Sequence, residues 1–284
     1  MILDDLEVKD GLTDEDHVPD VEENKTPVTK LGDVWTLGNH RIMCGDSTNI
    51  DDVDKLLNGE SIDCIYSDPP YGISLVQGNT VGGSKEFGNV SAKNGTCKRI
   101  IDANEYMPIA GDDSIQTAID FYSLCKSLNV KQICLWGANY YSTHLEDNNK
   151  WLFWDKNTTG NFADGELAWF SFKGKVEKFT HTWNGLIKQS EKKAKRVHPT
   201  QKPVALADHV INNIFSNINT LFDGFLGSGS TLIACEQNNI SCFGMELEPY
   251  YCDVIIKRWQ EYTGKEAYLD FNGKSYCEME SNNG

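Results

Sequence analysis

Residues 63–73, DCIYSDPPYGI, place an acid, two prolines and an aromatic ring directly after an apolar run. Pro69 and Pro70 fix the backbone and lack N–H groups, so the chain after Asp68 is stiff and rich in free acceptors. The Asp68 carboxylate and the Pro69 carbonyl can both accept hydrogen bonds from one NH2 group, and Tyr71 offers a flat face for stacking. The stretch is predicted to hold an amino-bearing aromatic ring. The alternative is a buried strand that ends in a Pro-Pro turn.

A second stretch, TLFDGFLGSGSTLIACEQ at 220–237, is typical of a strand, a glycine-rich turn and a helix, whose N–H groups can approach a ligand closely. A P-loop is excluded because no Lys follows Gly229, and pyrophosphate is disfavoured because Leu232 replaces the third glycine of the dinucleotide motif. Glu246 stands at the end of the next predicted strand, where a carboxylate can accept both hydroxyls of a ribose. Together, the glycine-rich turn and Glu246 favour a site for an adenosine ligand without phosphates. The alternative is a plain strand-to-helix turn that binds no ligand.

Between these stretches, RVHPTQKPVAL at 196–206 precedes a helix that is predicted to begin at Pro203. It supplies a cation, Lys202, near the ligand. The alternative is an ordinary helix cap, with Thr200 or Gln201 bonding the first turn.

The net charge of -16 is unevenly distributed along the chain. Residues 1–24 hold ten acidic residues against one Lys, which predicts an acidic, disordered tail over 1–27. Residues 150–203 hold eleven basic residues against five acidic ones. This basic segment is the candidate nucleic-acid contact, and a solvated charged face beside a small core cluster is the alternative. The candidate contact residues are Lys188, Lys192, Lys193, Lys195 and Arg196.

Composition also bounds the class of protein. Nine cysteines without a CxxC pair are expected to be reduced core thiols, with neither zinc nor disulfides. No apolar run approaches the ~20 residues needed to cross a bilayer, and the acidic N-terminus is unlike a signal peptide. The sequence therefore predicts a cytoplasmic protein.

Predicted strands and helices alternate, which favours an α/β fold with a mostly parallel, doubly wound sheet. The strands are expected in 34–46 (as a hairpin), 62–66, 130–141, 150–156, 220–223 and 241–246, and the helices at 50–58, 114–128, 203–217, 231–237 and after 248. Residues 74–98 are rich in Gly and Asn, which predicts a mobile loop over a site. Residues 274–284 are expected to form a flexible tail.

The motifs DPPY (68–71), HPTQKP (198–203) and FLGSGS (225–230), in this order, resemble the S-adenosylmethionine-dependent amino methyltransferases of DNA. In that class the catalytic motif precedes the cofactor motif, and the similarity extends over most of 31–265. The resemblance implies a seven-stranded Rossmann-like methyltransferase sheet in a catalytic domain at 28–273. The basic, aromatic segment 155–197 is interpreted as a target-recognition insert, because the rest of the protein is acidic; its aromatic residues are Trp169, Phe170, Phe172, Phe179, His181 and Trp183. Gly224 departs from the family, which usually has Pro there, and predicts a looser turn.

By that resemblance the site residues fall into two groups. Asp68, Pro69, Pro70 and Tyr71 form the catalytic loop. The contacts to S-adenosylmethionine are Asp46, Asp68, Thr200, Lys202, Phe225, Gly227, Ser228, Gly229, Ser230 and Glu246.

The expected reaction is direct in-line transfer of a methyl group to N6 of an adenine flipped out of double-stranded DNA. The alternatives are N4 of cytosine, an RNA base, the amide of a protein glutamine, or a catalytically idle module that binds DNA or senses the cofactor. A homodimer and a separate restriction endonuclease are the further partner hypotheses for this class.

Overall fold

A ten-stranded mixed sheet runs through the part of the chain that the structure describes. The structure is a computed structural model, and it describes residues 11–19, 26–72, 111–157, 164–183 and 201–282, with the backbone of 76–77 and 80–81. The strands are β1 Val34–Leu37, β2 His40–Cys44, β3 Cys64–Ser67, β4 Val76–Gln77, β5 Thr80–Val81, β6 Gln132–Trp136, β7 Trp151–Asp155, β8 Gly165–Phe170, β9 Glu177–Thr180, β10 Thr220–Asp223, β11 Ser241–Glu246 and β12 Tyr268–Leu269. The helices are α1 Ile50–Leu57, α2 Gln116–Ser127, α3 Val204–Asn213, α4 Ser230–Gln237, α5 Pro249–Thr263 and α6 Tyr276–Asn282.

The sheet has the order β12-β1-β2-β11-β10-β3-β6-β8-β7-β9, and β4 with β5 forms a separate hairpin. Its five central strands, from β2 to β6 in that order, are mutually parallel, whereas β1 and β8 join this core antiparallel. Residues of α1 and α2 pack in one apolar cluster and residues of α3, α4 and α5 in another. The predicted doubly wound α/β fold is confirmed, with ten strands in place of seven. Apart from the β4 and β5 backbone, the predicted loop at 74–98 lies outside the described residues.

The central strands form because their sequences are apolar almost without interruption. All four residues of β3 (CIYS) are buried, as is typical of a strand covered by helices on both faces. Because these strands are parallel, their carboxyl ends lie at one edge of the sheet. Cys44, Ser67, Trp136, Asp223 and Glu246 therefore end neighbouring strands at the same edge.

Both predicted tails are partly ordered, which corrects the expectation for residues 11–19 and 274–282. Asp16 is fully buried, and its Oδ1 accepts a hydrogen bond of 2.8 Å from the Val204 N–H at the start of α3. At the other end of the chain, Tyr276 of α6 is 1% exposed and its ring packs 5.5 Å from that of Trp35. Both segments are held because they satisfy polar or apolar groups of the domain.

The described part of the predicted recognition insert, 155–157 and 164–183, belongs to the sheet. Trp169 and Phe170 of β8 and the following Trp183 are buried in the core, and His181 is 8% exposed. Phe172 and Phe179 pack against the same apolar cluster. These aromatic residues are therefore core residues, as the alternative interpretation held. Residues 184–197 lie outside the described residues, and the recognition role remains a prediction for them.

Two composition-based expectations concern the rest of the chain. Seven of the eight cysteines in the described ranges are buried, as expected of core thiols, and Cys277 is exposed. Cys97 lies outside those ranges. Within the same ranges, every helix is too short or too polar to cross a membrane.

We expect Asp16→Ala to destabilise the protein by about 1 kcal/mol, because it leaves the Val204 N–H at the helix start without its acceptor. The measurement is urea unfolding followed by circular dichroism. Asp147→Ala, which removes an exposed carboxylate, is the control and should have little effect. Equal stability of the two variants would contradict a capping role for Asp16.

Candidate active site

The loops after β2, β3, β10 and β11, together with the residues before α3, surround a cleft of about 320 Å³ at the carboxyl edge of the sheet. This volume is in the range of small-molecule sites. The structure brings most of the predicted site residues together in its lining: Asp46, Asp68, Pro69, Pro70, Tyr71, Lys202, Phe225, Gly227, Ser228, Ser230 and Glu246. Gly229 lies behind the lining, as the left-handed residue that precedes α4. Thr200, Lys188, Lys192, Lys193, Lys195 and Arg196 lie outside the described residues.

Asp68 is held by one of its two carboxylate oxygens. Its Oδ2 accepts a hydrogen bond from Nζ of Lys202. Its Oδ1 is buried and has no hydrogen-bond partner within the described ranges. Burial raises the pKa of Asp68 above its ordinary value, although Lys202 opposes that shift. Asp68 lines the cleft, so this oxygen without a partner is a candidate acceptor for a ligand there.

Tyr71 is positioned by a glycine and a second tyrosine. Its ring is stacked on that of Tyr140, with centroids 4.8 Å apart and planes 10° from parallel. A Cβ at Gly137, where φ is +64°, would lie 2.1 Å from the Tyr71 ring. Only glycine therefore lets the ring lie there. Neither supporting residue is predicted from the sequence, because GANYY falls at the end of the strand expected over 130–141, whereas β6 ends at Trp136.

Two side chains contact Gly224 in the glycine-rich turn between β10 and α4. The Gly224 N–H donates to Oγ of Ser67 over 3.2 Å, a bond that proline cannot make. A Cβ at Gly224 would lie 2.3 Å from the Phe121 ring, which fills that space. Ser67 and Phe121 thus contact this position, and the looser turn stays a prediction.

Asp223, at the end of β10, is a site residue that the sequence analysis missed. Its Oδ1 accepts hydrogen bonds from Oγ of Ser67 at 2.7 Å and from the Phe225 N–H at 3.0 Å. Burial raises the pKa of Asp223 to about 6, although these hydrogen bonds lower it. The available signal was its place directly before the glycine-rich turn.

Glu246 and Asp46 lie at the ends of the neighbouring strands β11 and β2. The Glu246 carboxylate accepts the N–H of Gly227 at 2.9 Å and that of Glu248 at 3.0 Å. Burial raises the pKa of Glu246 to about 7, although backbone donors oppose the shift. Asp46 is exposed and accepts bonds from both the N–H and the hydroxyl of Thr48. The two carboxylates give this end of the cleft acceptors for hydroxyl or amino groups.

The ordinary helix cap is expected from Thr200 or Gln201. Thr200 lies outside the described residues, and Pro203, which directly precedes α3, makes no side-chain cap hydrogen bond. Asp16 bonds the first N–H of the helix instead. Gln201 is buried, lines the cleft and has no partner for either atom of its side-chain amide among the described residues. Lys202 reaches Asp68, so the cation lies at the catalytic loop.

These contacts define a cleft with two parts. One part combines the glycine-rich turn with Glu246 and Asp46, and its carboxylate acceptors and lack of a facing P-loop lysine suit a nucleoside without phosphates. The other part combines Asp68 and Tyr71, which can hold a planar ring that carries an amine.

A family model described as DNA methylase (N6_N4_Mtase) matches residues 62–258. This match includes the catalytic loop, the glycine-rich turn and Glu246. The chain therefore belongs to the DNA methylase family.

Two curated methyltransferases are similar to parts of the chain. The orphan methyltransferase M.BamHII of Bacillus amyloliquefaciens is 30% identical over 136 residues, which is 45% of this chain and 51% of that protein. The type II methyltransferase M2.LlaDCHI of Lactococcus lactis subsp. cremoris is 29% identical over 119 residues, which is 42% of this chain and 43% of that protein. The chain thus spans about half the length of the curated relatives it matches.

Two solved structures align with the chain at low sequence identity. The PvuII DNA methyltransferase, described as cytosine-N4-specific, aligns with a TM-score of 0.49 and 14% identity, covering 92% of this chain and 94% of that one. M1.HpyAVI, in a complex with SAM, aligns with a TM-score of 0.43 and 20% identity, covering 76% of this chain and 98% of that one.

We expect Asp223→Asn to become more stable relative to the wild type as pH rises from 5 to 7.5. Folding raises the pKa of Asp223 to about 6, so the carboxyl group stabilises the folded protein at a pH below its pKa in the unfolded chain. The wild type loses this stabilisation as pH rises through about 6, the pKa in the folded state. The relative gain should be about 1 kcal/mol over this window. Glu166 and Glu236 do not contribute to the change in stability over this pH window. Burial raises their pKa values, but cationic and hydrogen-bonding partners outweigh it and hold both pKa values at about 2.

Urea unfolding of the protein without added ligand, at pH 5 and pH 7.5, measures this change. Asp113→Asn, at an exposed carboxylate, is the matched control and should show no such gain. A gain of equal size in both variants would remove Asp223 as its source.

Proposed function

We propose that the protein is a site-specific DNA methyltransferase that methylates the N6 amine of adenine in double-stranded DNA, with S-adenosylmethionine as methyl donor. The observation that carries this proposal is the buried Oδ1 of Asp68, which has no partner within the described part of the chain and lies in the same cleft as the glycine-rich turn. A free acceptor beside a nucleoside site suits an amine that must be brought to a bound methyl donor.

Family membership, the glycine-rich turn and the two strand-end acids support the cofactor site. Glu246 would accept the ribose hydroxyls and Asp46 would contact the adenine ring, while Phe225, Gly227, Ser228 and Ser230 would form the wall between them. When bound, S-adenosylmethionine supplies an electrophilic methyl group. Gly229 would hold the turn, and Thr200 remains a proposed contact to the methionine part. Lys202 is better supported at the catalytic loop, because Asp68 and Glu166 already engage its ammonium.

On the substrate side, the exocyclic amine of adenine is a poor nucleophile, because its lone pair is delocalised into the ring. Oδ1 of Asp68 and the carbonyl of Pro69 would accept its two N–H groups and orient the nitrogen for in-line attack. Pro70 would keep that carbonyl in place, and Tyr71, which lines the cleft, would stack the base. A base within a duplex cannot reach this cleft, so it must be flipped out at a cost of a few kcal/mol.

The choice of adenine rests on Asp68, since an acid at the first motif position is commoner among the adenine enzymes of the resembled class. Cytosine N4 is the alternative, because both bases present a ring-bound NH2 and a stackable face. An amide of protein glutamine is disfavoured by the same acid. The contacts that would hold DNA are proposed at Lys188, Lys192, Lys193, Lys195 and Arg196, where a basic cluster interrupts an acidic chain.

We expect Glu246→Gln to weaken S-adenosylmethionine binding by about 1.5 to 3 kcal/mol, the range for hydrogen bonds to a charged group. The ionised carboxylate accepts both ribose hydroxyls, so wild-type affinity should rise as pH increases through about 7, the pKa of Glu246. Calorimetry between pH 5.5 and 8.5 measures both effects. In Glu246→Gln, any remaining change of cofactor affinity with pH comes from groups other than Glu246. If the affinity of the wild type changes with pH in the same way, Glu246 is not part of the cofactor site.

We expect the wild type to produce N6-methyladenine in duplex DNA, and Asp68→Ala to abolish turnover, because the variant lacks the acceptor for the amine. Mass spectrometry of nucleosides from treated DNA identifies the base. Cofactor affinity, measured in parallel, should change little, since the glycine-rich turn and Glu246 are intact. N4-methylcytosine would replace the adenine assignment, and neither product with tight cofactor binding would indicate RNA or protein as substrate.

A further inference from the structure

Four charged side chains form a connected row from the sheet to the catalytic loop. Lys156, just after β7, bonds Oε1 of Glu166 on β8. The other oxygen of Glu166 lies 3.2 Å from Nζ of Lys202, which bonds Oδ2 of Asp68. The side chains of Lys202, Asp68 and Glu166 are only 12%, 17% and 25% exposed. The cation of Lys202 is thus shared between two largely buried carboxylates.

Such a row is costly as a purely structural device. Removing charges from water costs several kcal/mol for each ion, and apolar residues of similar volume often stabilise a fold equally well. Glu166 also adds a second negative charge near Asp68, which opposes ionisation of a carboxylate that burial already disfavours. A use in positioning the reacting groups accounts for this arrangement.

We propose that Glu166 is a positioning residue for methyl transfer: by sharing Lys202 with Asp68, it keeps the ammonium on Oδ2 and leaves Oδ1 open to the amine of the base. This inference rests on the proposed function of the site. It assigns a task to a residue on β8 that neither reacts nor belongs to the DPPY motif.

The geometry explains why both neighbours of Lys202 are needed. Without Lys202, the buried Asp68 has no adjacent counter-ion and takes up a proton, so that it no longer accepts freely from the amine. Without Glu166, Asp68 is the remaining anion beside Lys202, and the ammonium can move across both carboxylate oxygens. With both Lys202 and Glu166 present, Asp68 stays ionised and the ammonium of Lys202 stays on Oδ2.

Other groups also surround Asp68, and each affects its titration. Lys202 and Lys156 favour its ionised form, whereas Glu166 opposes it. The remaining titratable groups that interact with it are Tyr66 of β3, Tyr71 of the loop, Cys134 of β6, Tyr141 and Asp223 of β10. The neighbours of Asp68 in the charged row thus act with opposite signs, which a pH profile can distinguish.

The experiment is the single-turnover rate of methylation of duplex DNA by the full chain, with saturating S-adenosylmethionine, from pH 5.5 to 9.5. Glu166→Gln should lower the plateau rate by about ten- to a hundredfold, as expected when a reacting group is misplaced. Because Glu166 raises the pKa of Asp68, the acid limb of its profile should move to lower pH. Lys156→Gln should move the acid limb to higher pH instead.

Glu177→Gln is the matched control. It breaks the pair between Lys150 and Glu177 of β9, whose side chains are 7% and 23% exposed. Strand β9 is separated from β8 by β7. Glu177→Gln should lower stability to a similar degree and leave the pH profile in place. If the role of Glu166 is only structural, Glu166→Gln should likewise lower stability and leave the pH profile unchanged.

The possible outcomes separate the two proposals. Wild-type methylation with an unmoved profile in folded Glu166→Gln overturns this inference alone. If Glu166→Gln does not fold, the shift of the acid limb in Lys156→Gln decides: a shift to higher pH supports the inference and an unmoved limb overturns it. A wild type that methylates neither adenine nor cytosine in DNA overturns the proposed function, and this inference with it.

Discussion

Parallel pairing of the five central strands is the constraint on which the site depends. Glu246 pairs in register with Cys44, Asp223 with Gly244, and Ser67 with Leu135, so three polar strand ends lie side by side. Each strand stops where its next residues become proline, glycine or acid. The cleft therefore lies where the apolar sequences of the strands end. The side chains that line it belong to loops that the rigid sheet supports.

Burial of carboxylates at this edge is the second constraint. Burial raises the pKa values of Asp68, Asp223 and Glu246, and each is offset by a different device. Glu246 accepts backbone N–H groups, Asp223 accepts a serine hydroxyl, and Asp68 accepts a lysine ammonium. Only the last device leaves one oxygen of its carboxylate without a partner in the described structure. That difference distinguishes an acid that shapes the cleft from one that can act on a substrate.

Much of the fold and of the glycine-rich half of the cleft could be predicted from sequence, because these features are local. A strand that ends in DPPY and a strand that ends in a glycine turn each specify their own geometry. The contacts that support them are not local. Tyr140 meets Tyr71, and Glu166 meets Lys202, only because β6 pairs with β3 in the sheet and β8 pairs with β6. Strand order, and hence these neighbours, is not encoded in any short motif.

The acidic segment before the first strand also shows that composition does not predict non-local contacts. Its charge predicted disorder, yet a buried arginine of α5, Arg258, donates one bond of 2.8 Å to the Glu15 carbonyl and another of 2.8 Å to the Ser228 carbonyl. One guanidinium thus ties the segment to the glycine-rich turn, while Asp16 bonds the helix that follows Lys202. The acids of residues 11–19 also bond the domain: Asp16 serves the start of α3, and the Glu15 carboxylate accepts a bond of 2.7 Å from the amide of Gln237. This part of the acidic segment is therefore ordered by specific hydrogen bonds, which composition cannot reveal.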